Sequence, residues 1–207
     1  MAKAPLPGTV KTRLAPLLGH HGCAALQAEL IRHTAAWVAQ ASDRTAVAYA
    51  PVRATDAITR LVPPGVELFA QHGANLGARM RSASARAAAG WAPASALALI
   101  GTDAPLLGPG NLLAAFAALA QADACVIPAH DGGYVLIALA TPAAAPFDLP
   151  PTAWGGPQVL ELTLGALARA GLSTAVLPAV ADLDTPADAL ALRSDPNCPA
   201  SLRALLA

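Results

Sequence analysis

The sequence predicts an α/β fold built on a mainly parallel sheet. Short apolar runs alternate with longer segments of helical period along the whole chain, and prolines punctuate it roughly every ten to twenty residues. The unusual polar residues fall in the loops that follow the apolar runs. Strands alternating with helices of this length imply a sheet covered on both faces, with ligands beyond the carboxyl ends of its strands. At 207 residues the chain has room for one domain with a sizeable core and too little for two ordinary ones, so a single domain over 1–207 is expected.

The elements follow in order. Leu26, Leu30 and Trp37 fall near one face of a helix over about 16–40. A β-like run at 45–49 precedes a helix around 54–62, then a strand at 66–69. A helix over about 76–89 follows, opened by Asn75 as a cap, and residues 96–100 read as a buried strand. Pro109 suits the first turn of a helix over 109–121. Strands are expected at 125–127 and at Tyr134–Leu139. A helix over 157–170 carries Leu160, Thr163, Leu164 and Leu167 at spacings of three and four, and a strand at 175–177 precedes a last helix over 186–193. Thr185, Pro186 and Asp188 resemble a capping box that would open it.

Composition narrows the class. The chain is 55% hydrophobic, with a mean hydropathy of +0.49, but alanine supplies much of that. The central apolar stretch, 134–145, is short and contains Pro142, whereas a spanning helix needs about 20 apolar residues. No secretory h-region follows Met1, so a cytoplasmic protein without membrane partners is expected. Cys23, Cys125 and Cys198 lie far apart without metal-type spacing and read as reduced, partly buried thiols. Net charge is zero but uneven: residues 1–100 carry ten Lys/Arg against four Asp/Glu, and residues 101–207 carry three against nine. A basic half beside an acidic half suits a phosphate bridged to a metal ion; it equally suits two halves that neutralise each other.

Five clusters can carry chemistry. In the first, Lys3, Lys11 and Arg13 flank Pro5, Pro7 and Gly8. The prolines hold a non-helical course, Gly8 lets backbone N–H groups approach an anion, and Lys11 and Arg13 suit phosphate oxygens. Val10 before Lys11-Thr12 rules out a Walker A loop, and a solvated basic terminus is the alternative. In the second, Asp103 follows an apolar strand within Gly101-Thr102-Asp103-Ala104-Pro105. That position suits a ligand of Mg²⁺ or Mn²⁺, the alternative being a cap for the helix near Pro109. The third, His130-Asp131-Gly132-Gly133-Tyr134, has the form of a hairpin turn. In the fourth, Asp182 and Asp184 share one side of extended backbone, with Asp184 the better second metal ligand and Asp182 the reserve. In the fifth, Arg79 either contacts nucleotide or acceptor, or points to solvent with Arg81.

Together these blocks resemble an uncharacterised bacterial family of glycosyltransferase-like proteins with the GT-A, nucleotide-diphospho-sugar transferase fold. The likeness rests on Ala2-Lys3-Ala4-Pro5, Lys11-Thr12-Arg13-Leu14, Gly101-Thr102-Asp103-Ala104-Pro105, Asp131-Gly132-Gly133-Tyr134 and Asp182-Leu183-Asp184-Thr185-Pro186, which span nearly the whole chain. The Lys-Thr-Arg-Leu start is also similar to phospholactate guanylyltransferases, and the Asp-Thr-Pro ending to molybdenum-cofactor nucleotidyltransferases. The resemblance implies a three-layer α/β/α sandwich with a mixed, mainly parallel sheet. The family has an apolar first strand before the Ala-Lys-Ala-Pro block, and Met1 stands where that strand should be finishing, so either the start is misassigned or a truncated first strand is expected. It also implies an NTP or NDP-sugar gripped by the N-terminal loop (Lys3, Pro7, Gly8, Lys11, Arg13), a metal on Asp103 with Asp184 assisting, and Asp131 facing the acceptor or transferred group.

The expected activity is metal-dependent group transfer from a nucleotide-activated donor to a small-molecule acceptor, most simply glycosyl transfer from an NDP-sugar. Nucleotidyl transfer with release of pyrophosphate needs the same cations and carboxylates, and a non-catalytic nucleotide-binding domain keeps the same fold. No nucleic-acid partner is expected, and a homo-oligomer is compatible with the chain. Hydrolysis by a nucleophilic serine or cysteine is excluded, since neither a GxSxG elbow nor a Cys/His motif is present.

Overall fold

The computed structural model describes residues 1–91 and 96–207. In chain order its elements are β1 (Ala2–Lys3), α1 (Ala15–Ala41), β2 (Ala46–Ala50), α2 (Thr55–Thr59), β3 (Glu67–Ala70), α3 (Leu76–Gly90), β4 (Leu97–Ile100), α4 (Pro109–Ala118), β5 (Ala124–Pro128), β6 (Tyr134–Leu139), α5 (Val159–Arg169), β7 (Thr174–Val176), α6 (Pro186–Ser194) and α7 (Ala200–Leu205). The mixed α/β architecture expected from the alternation is present. They group into two compact units, one formed by Met1–Ala70, Thr102–Gly108 and Ala181–Ala207, the other by Gln71–Gly101 and Pro109–Val180.

In the first unit β1, β2 and β3 form a parallel sheet in that order, with Ala2 opposite Tyr49 and Ala46 opposite Glu67. The short first strand is real pairing: the Ala4 N–H extends it by donating to the Ala50 carbonyl at 2.7 Å. Helix α1 buries two faces. Ile31 and Ala35 pack with Ala2, Ala4, Val47 and Tyr49 from the sheet. Cys23, Leu26 and Leu30 pack with Leu14, Leu183, Leu192, Leu202 and Leu206. The helix kinks at Gly19, where the backbone leaves helical geometry. Helix α7, which periodicity had not indicated, is short and has no side-chain cap; it is held by burial of Leu202 and Leu206.

The second unit contains a four-stranded sheet in the order β4-β6-β5-β7. Strands β4, β5 and β7 run parallel to one another and β6 runs against β4 and β5. Cys125, Val126, Ile127, Leu136, Ile137 and Ala138 are fully buried, so the central strands are apolar on both faces rather than alternating. Reversal of β6 follows from the 129–133 connection, a hairpin closed by Ala129 N–H to the Gly133 carbonyl at 3.0 Å. The start of β6 therefore shares one sheet edge with the ends of β4 and β5, and the Gly101 N–H reaches the Val135 carbonyl at 2.9 Å. Helix α3 is capped by Asn75, which accepts from the Ala78 N–H at 2.8 Å. Gly77 in its first turn admits the Trp154 ring, which a Cβ there would meet at 2.4 Å.

Among the described residues no helix is long and apolar enough to cross a membrane. Cys23, Cys125 and Cys198 are free and buried, and burial pushes all three thiols up, which disfavours the reactive thiolate.

Candidate functional site

Residues 5–10 fold as a turn on themselves. The Thr9 N–H and hydroxyl both donate to the Leu6 carbonyl, at 3.1 and 2.9 Å, and Lys3 Nζ donates to the Thr9 carbonyl. Pro7, Gly8 and Thr9 stand exposed on this turn, while Val10 is buried. The chain then reaches Lys11, the one described non-glycine residue with positive φ (48°). That conformation costs about 1–2 kcal/mol for an L-residue. The Lys11 carbonyl accepts from the Leu14 N–H at 2.8 Å and from the Cys23 thiol at 3.2 Å, so its backbone is held on both sides.

The strained backbone aims the Lys11 side chain inward, where it is 4% exposed. Nζ donates to three oxygens: the Leu183 carbonyl at 2.7 Å, Asp184 Oδ1 at 2.9 Å and Asp103 Oδ1. Burial pulls the Lys11 pKa down, but the charges and hydrogen bonds of Asp103 and Asp184 outweigh it, so the ammonium is held above its ordinary value. Asp103 and Asp184 are 51% and 41% exposed at their side chains. Arg13, on the following 3-10 turn and 72% exposed, places Nη1 3.9 Å from Asp184 Oδ2.

Hydrogen bonds from the backbone and from side chains position the carboxylates. The loop bearing Asp103 is tied to the segment bearing Asp184 by the Leu183 N–H, which donates to the Asp103 carbonyl at 2.8 Å. Buried Gln27 of α1 donates to the Thr102 hydroxyl at 3.3 Å, anchoring that loop from behind. After Asp184, the predicted capping box forms. Thr185 accepts from the Asp188 N–H at 3.3 Å, and Asp188 accepts from the Thr185 N–H at 2.7 Å and the Asp184 N–H at 3.1 Å.

Burial pushes the Asp188 carboxyl up, yet the Thr185 N–H and hydroxyl, the Asp184 N–H and the Lys11 charge together hold it below its usual value. A depressed folded pKa contributes stability that is fully present above the ordinary Asp value near pH 4 and lost as pH falls through the folded value. Asp188→Asn is therefore expected to lower stability by about 1 kcal/mol at neutral pH and to flatten the acid limb of Tm against pH. Thermal melts from neutral pH to about pH 2 check this; an unchanged acid limb counts against the linkage.

Lys3, Lys11, Arg13, Asp103, Asp182 and Asp184 all belong to the first unit, as do Pro7 and Gly8. Asp182 is half-buried at the start of the Asp184 segment. Asp131 and Arg79 belong to the second unit. Asp131 is exposed, and its Oδ1 accepts from the Gly133 N–H at 2.8 Å, so the hairpin-turn form anticipated there is present. The Arg79 Nε donates to the Gly73 carbonyl at 3.2 Å, and Arg81 lies 4.0 Å from Asp148. Gln27, Thr102 and the Leu183 carbonyl escaped sequence reasoning. A buried amide within the apolar face of α1 was the one available signal, and a carbonyl leaves none.

The donor chemistry suits a hard cation. Lys11 takes one oxygen of each carboxylate, and both acids keep about half of their surface in solvent. Among the described residues no group of three or more His, Cys, Asp or Glu gathers to hold a metal. A divalent ion on Asp103 and Asp184 would thus complete its shell with water and substrate phosphate, the usual habit of Mg²⁺.

The comparisons with known proteins agree with this architecture. The model of a family described as "Uncharacterized protein conserved in bacteria (DUF2064)" matches residues 31–155. A crystal structure from Desulfovibrio desulfuricans G20, described as a "putative nucleotide-diphospho-sugar transferase", is 28% identical; the match covers 99% of this chain and 94% of that one, with a TM-score of 0.87. The bifunctional IspDF of Campylobacter jejuni is similar in fold alone, at 10% identity and a TM-score of 0.54 over 77% of this chain and 45% of that one. No curated relative matches in sequence. The fold is thus that of the nucleotide-diphospho-sugar transferase-like proteins.

Proposed function

This chain belongs to the family of uncharacterized proteins conserved in bacteria (DUF2064), and from that premise we propose that it is a divalent-metal-dependent transferase using a nucleotide-activated donor, with glycosyl transfer from an NDP-sugar to a small-molecule acceptor as its reaction. The observation that carries the reading is the meeting of Lys11 with Asp103 and Asp184, residues far apart in sequence, with Arg13 beside them. The description of the Desulfovibrio protein supports the same donor class.

In this reading Asp103 and Asp184 hold Mg²⁺ or Mn²⁺, with Asp182 in reserve. When bound there, such an ion would supply charge neutralisation for a diphosphate leaving group. Lys3, Lys11 and Arg13, with the exposed turn at Pro7 and Gly8, hold phosphate oxygens. The bond that breaks joins the anomeric carbon to a diphosphate oxygen, which keeps the electron pair. The bond that forms joins that carbon to an acceptor oxygen, whose proton passes to a base.

A thermal-shift panel of NTPs and NDP-sugars, each with and without Mn²⁺ or Mg²⁺, tests the proposal. One nucleotide class should raise Tm only when metal is present, as preferential binding to the folded state requires. Release of NDP on turnover supports glycosyl transfer, whereas release of pyrophosphate would assign nucleotidyl transfer instead. Binding without turnover across acceptors would overturn the enzymatic reading, and no metal-dependent shift with any nucleotide would overturn the whole.

A further inference from the structure

The Lys11 ammonium occupies the position between Asp103 and Asp184 that a cation would take. It is almost wholly buried, and three oxygens surround it, one from each carboxylate and one from the Leu183 carbonyl. Its backbone is held in the left-handed region, so the placement does not come from a relaxed, solvent-seeking lysine. Two carboxylates this close repel unless positive charge lies between them, and the tethered ammonium already supplies it. A divalent ion approaching the half-exposed pair meets that like charge, fixed between the two carboxylates.

We propose that Lys11 is a tethered competitor of the divalent ion: it holds the acidic pair together and keeps metal off until a donor diphosphate draws the ammonium away. Metal and nucleotide then bind as a coupled pair, each favouring the other. This rests on the transferase reading for the nucleotide half, while the competition at Asp103 and Asp184 is testable without any nucleotide. Lys11 acts here as a positioning residue.

Mn²⁺ alone is titrated into the wild-type chain, Lys11→Met and Lys11→Gly, following the loss of the free-ion EPR signal. The glycine variant relieves the positive φ, so it covers the case in which Met does not fold. Wild type should bind Mn²⁺ weakly, and both variants at least about tenfold more tightly, a change of about 1.4 kcal/mol. Adding Asp103→Asn to Lys11→Met should return affinity to the wild-type level. A purely structural lysine would not move this readout in that direction. Micromolar binding of Mn²⁺ by wild type alone overturns the proposal, as does equal affinity in wild type and the folded Lys11 variants. If the nucleotide panel still shows metal-dependent binding in that event, only the role of Lys11 falls. If the variants gain Mn²⁺ affinity but no nucleotide stabilises wild type, the competition stands and the transferase reading falls.

Discussion

Gly132→Ala should cost about 3 kcal/mol or more, seen as a fall in Tm of about 6–12 °C for a chain of this size or as failure to fold. Two effects add. Gly132 has φ +90°, where a Cβ is strained, and an ideal Cβ there would lie 2.0 Å from the Pro157 carbonyl oxygen and 2.6 Å from its carbon. Those are backbone atoms, so no rotamer change clears them, and overpacking of this kind alone costs about 1–3 kcal/mol. The Gly132 carbonyl also accepts from the Leu160 N–H at 2.9 Å, so displacement of the turn is carried into the start of α5. Gly133→Ala is the control. Its Cβ would meet only the Asp131 side chain, at 3.1 Å, and it should melt close to wild type. Equal melting of the two variants would refute the close-approach argument.

Asp103→Ala should weaken metal-dependent nucleotide binding by about a hundredfold while leaving the fold intact. Truncating one member of a charged, hydrogen-bonded set typically costs about 2–5 kcal/mol in binding. The apo protein loses less, because the Asp103 side chain is half exposed and Lys11 keeps Asp184 and the Leu183 carbonyl as partners. The readout is the nucleotide-induced Tm shift with Mn²⁺, set beside the Tm without ligand. A variant that binds as tightly as wild type removes Asp103 from the metal site.

The reach of sequence reasoning differs from residue to residue. The Tyr134–Leu139 strand was legible to its ends, because an apolar run bounded by Asp-Gly-Gly and a later proline leaves little freedom. The caps at Asn75 and Thr185 were legible for the same local reason, as were the clusters bearing Lys11, Asp103 and Asp184. What those residues do to one another was not. Lys11 and Asp184 are 173 positions apart, and nothing local shows that the ammonium is enclosed by acids rather than open to phosphate. Helix α7 went unseen because its stability comes from burying Leu202 and Leu206 against Leu14, Cys23 and Leu26, not from its own ends. The reversal of β6 was signalled only by the turn, since β5 and β6 are apolar throughout and carry no alternation from which direction can be inferred.

Leu183 joins two kinds of chemistry in one residue. Its side chain is sunk among Leu14, Leu26 and Leu192, its N–H goes to the Asp103 carbonyl, and its own carbonyl receives Lys11. The depth at which that isobutyl group seats thus sets the spacing of the charged groups to either side, as a dowel sets the alignment of two boards. Oil-like residues with no chemistry of their own calibrate the polar cluster, and drift in that cluster would begin beneath it, in how the leucines fit.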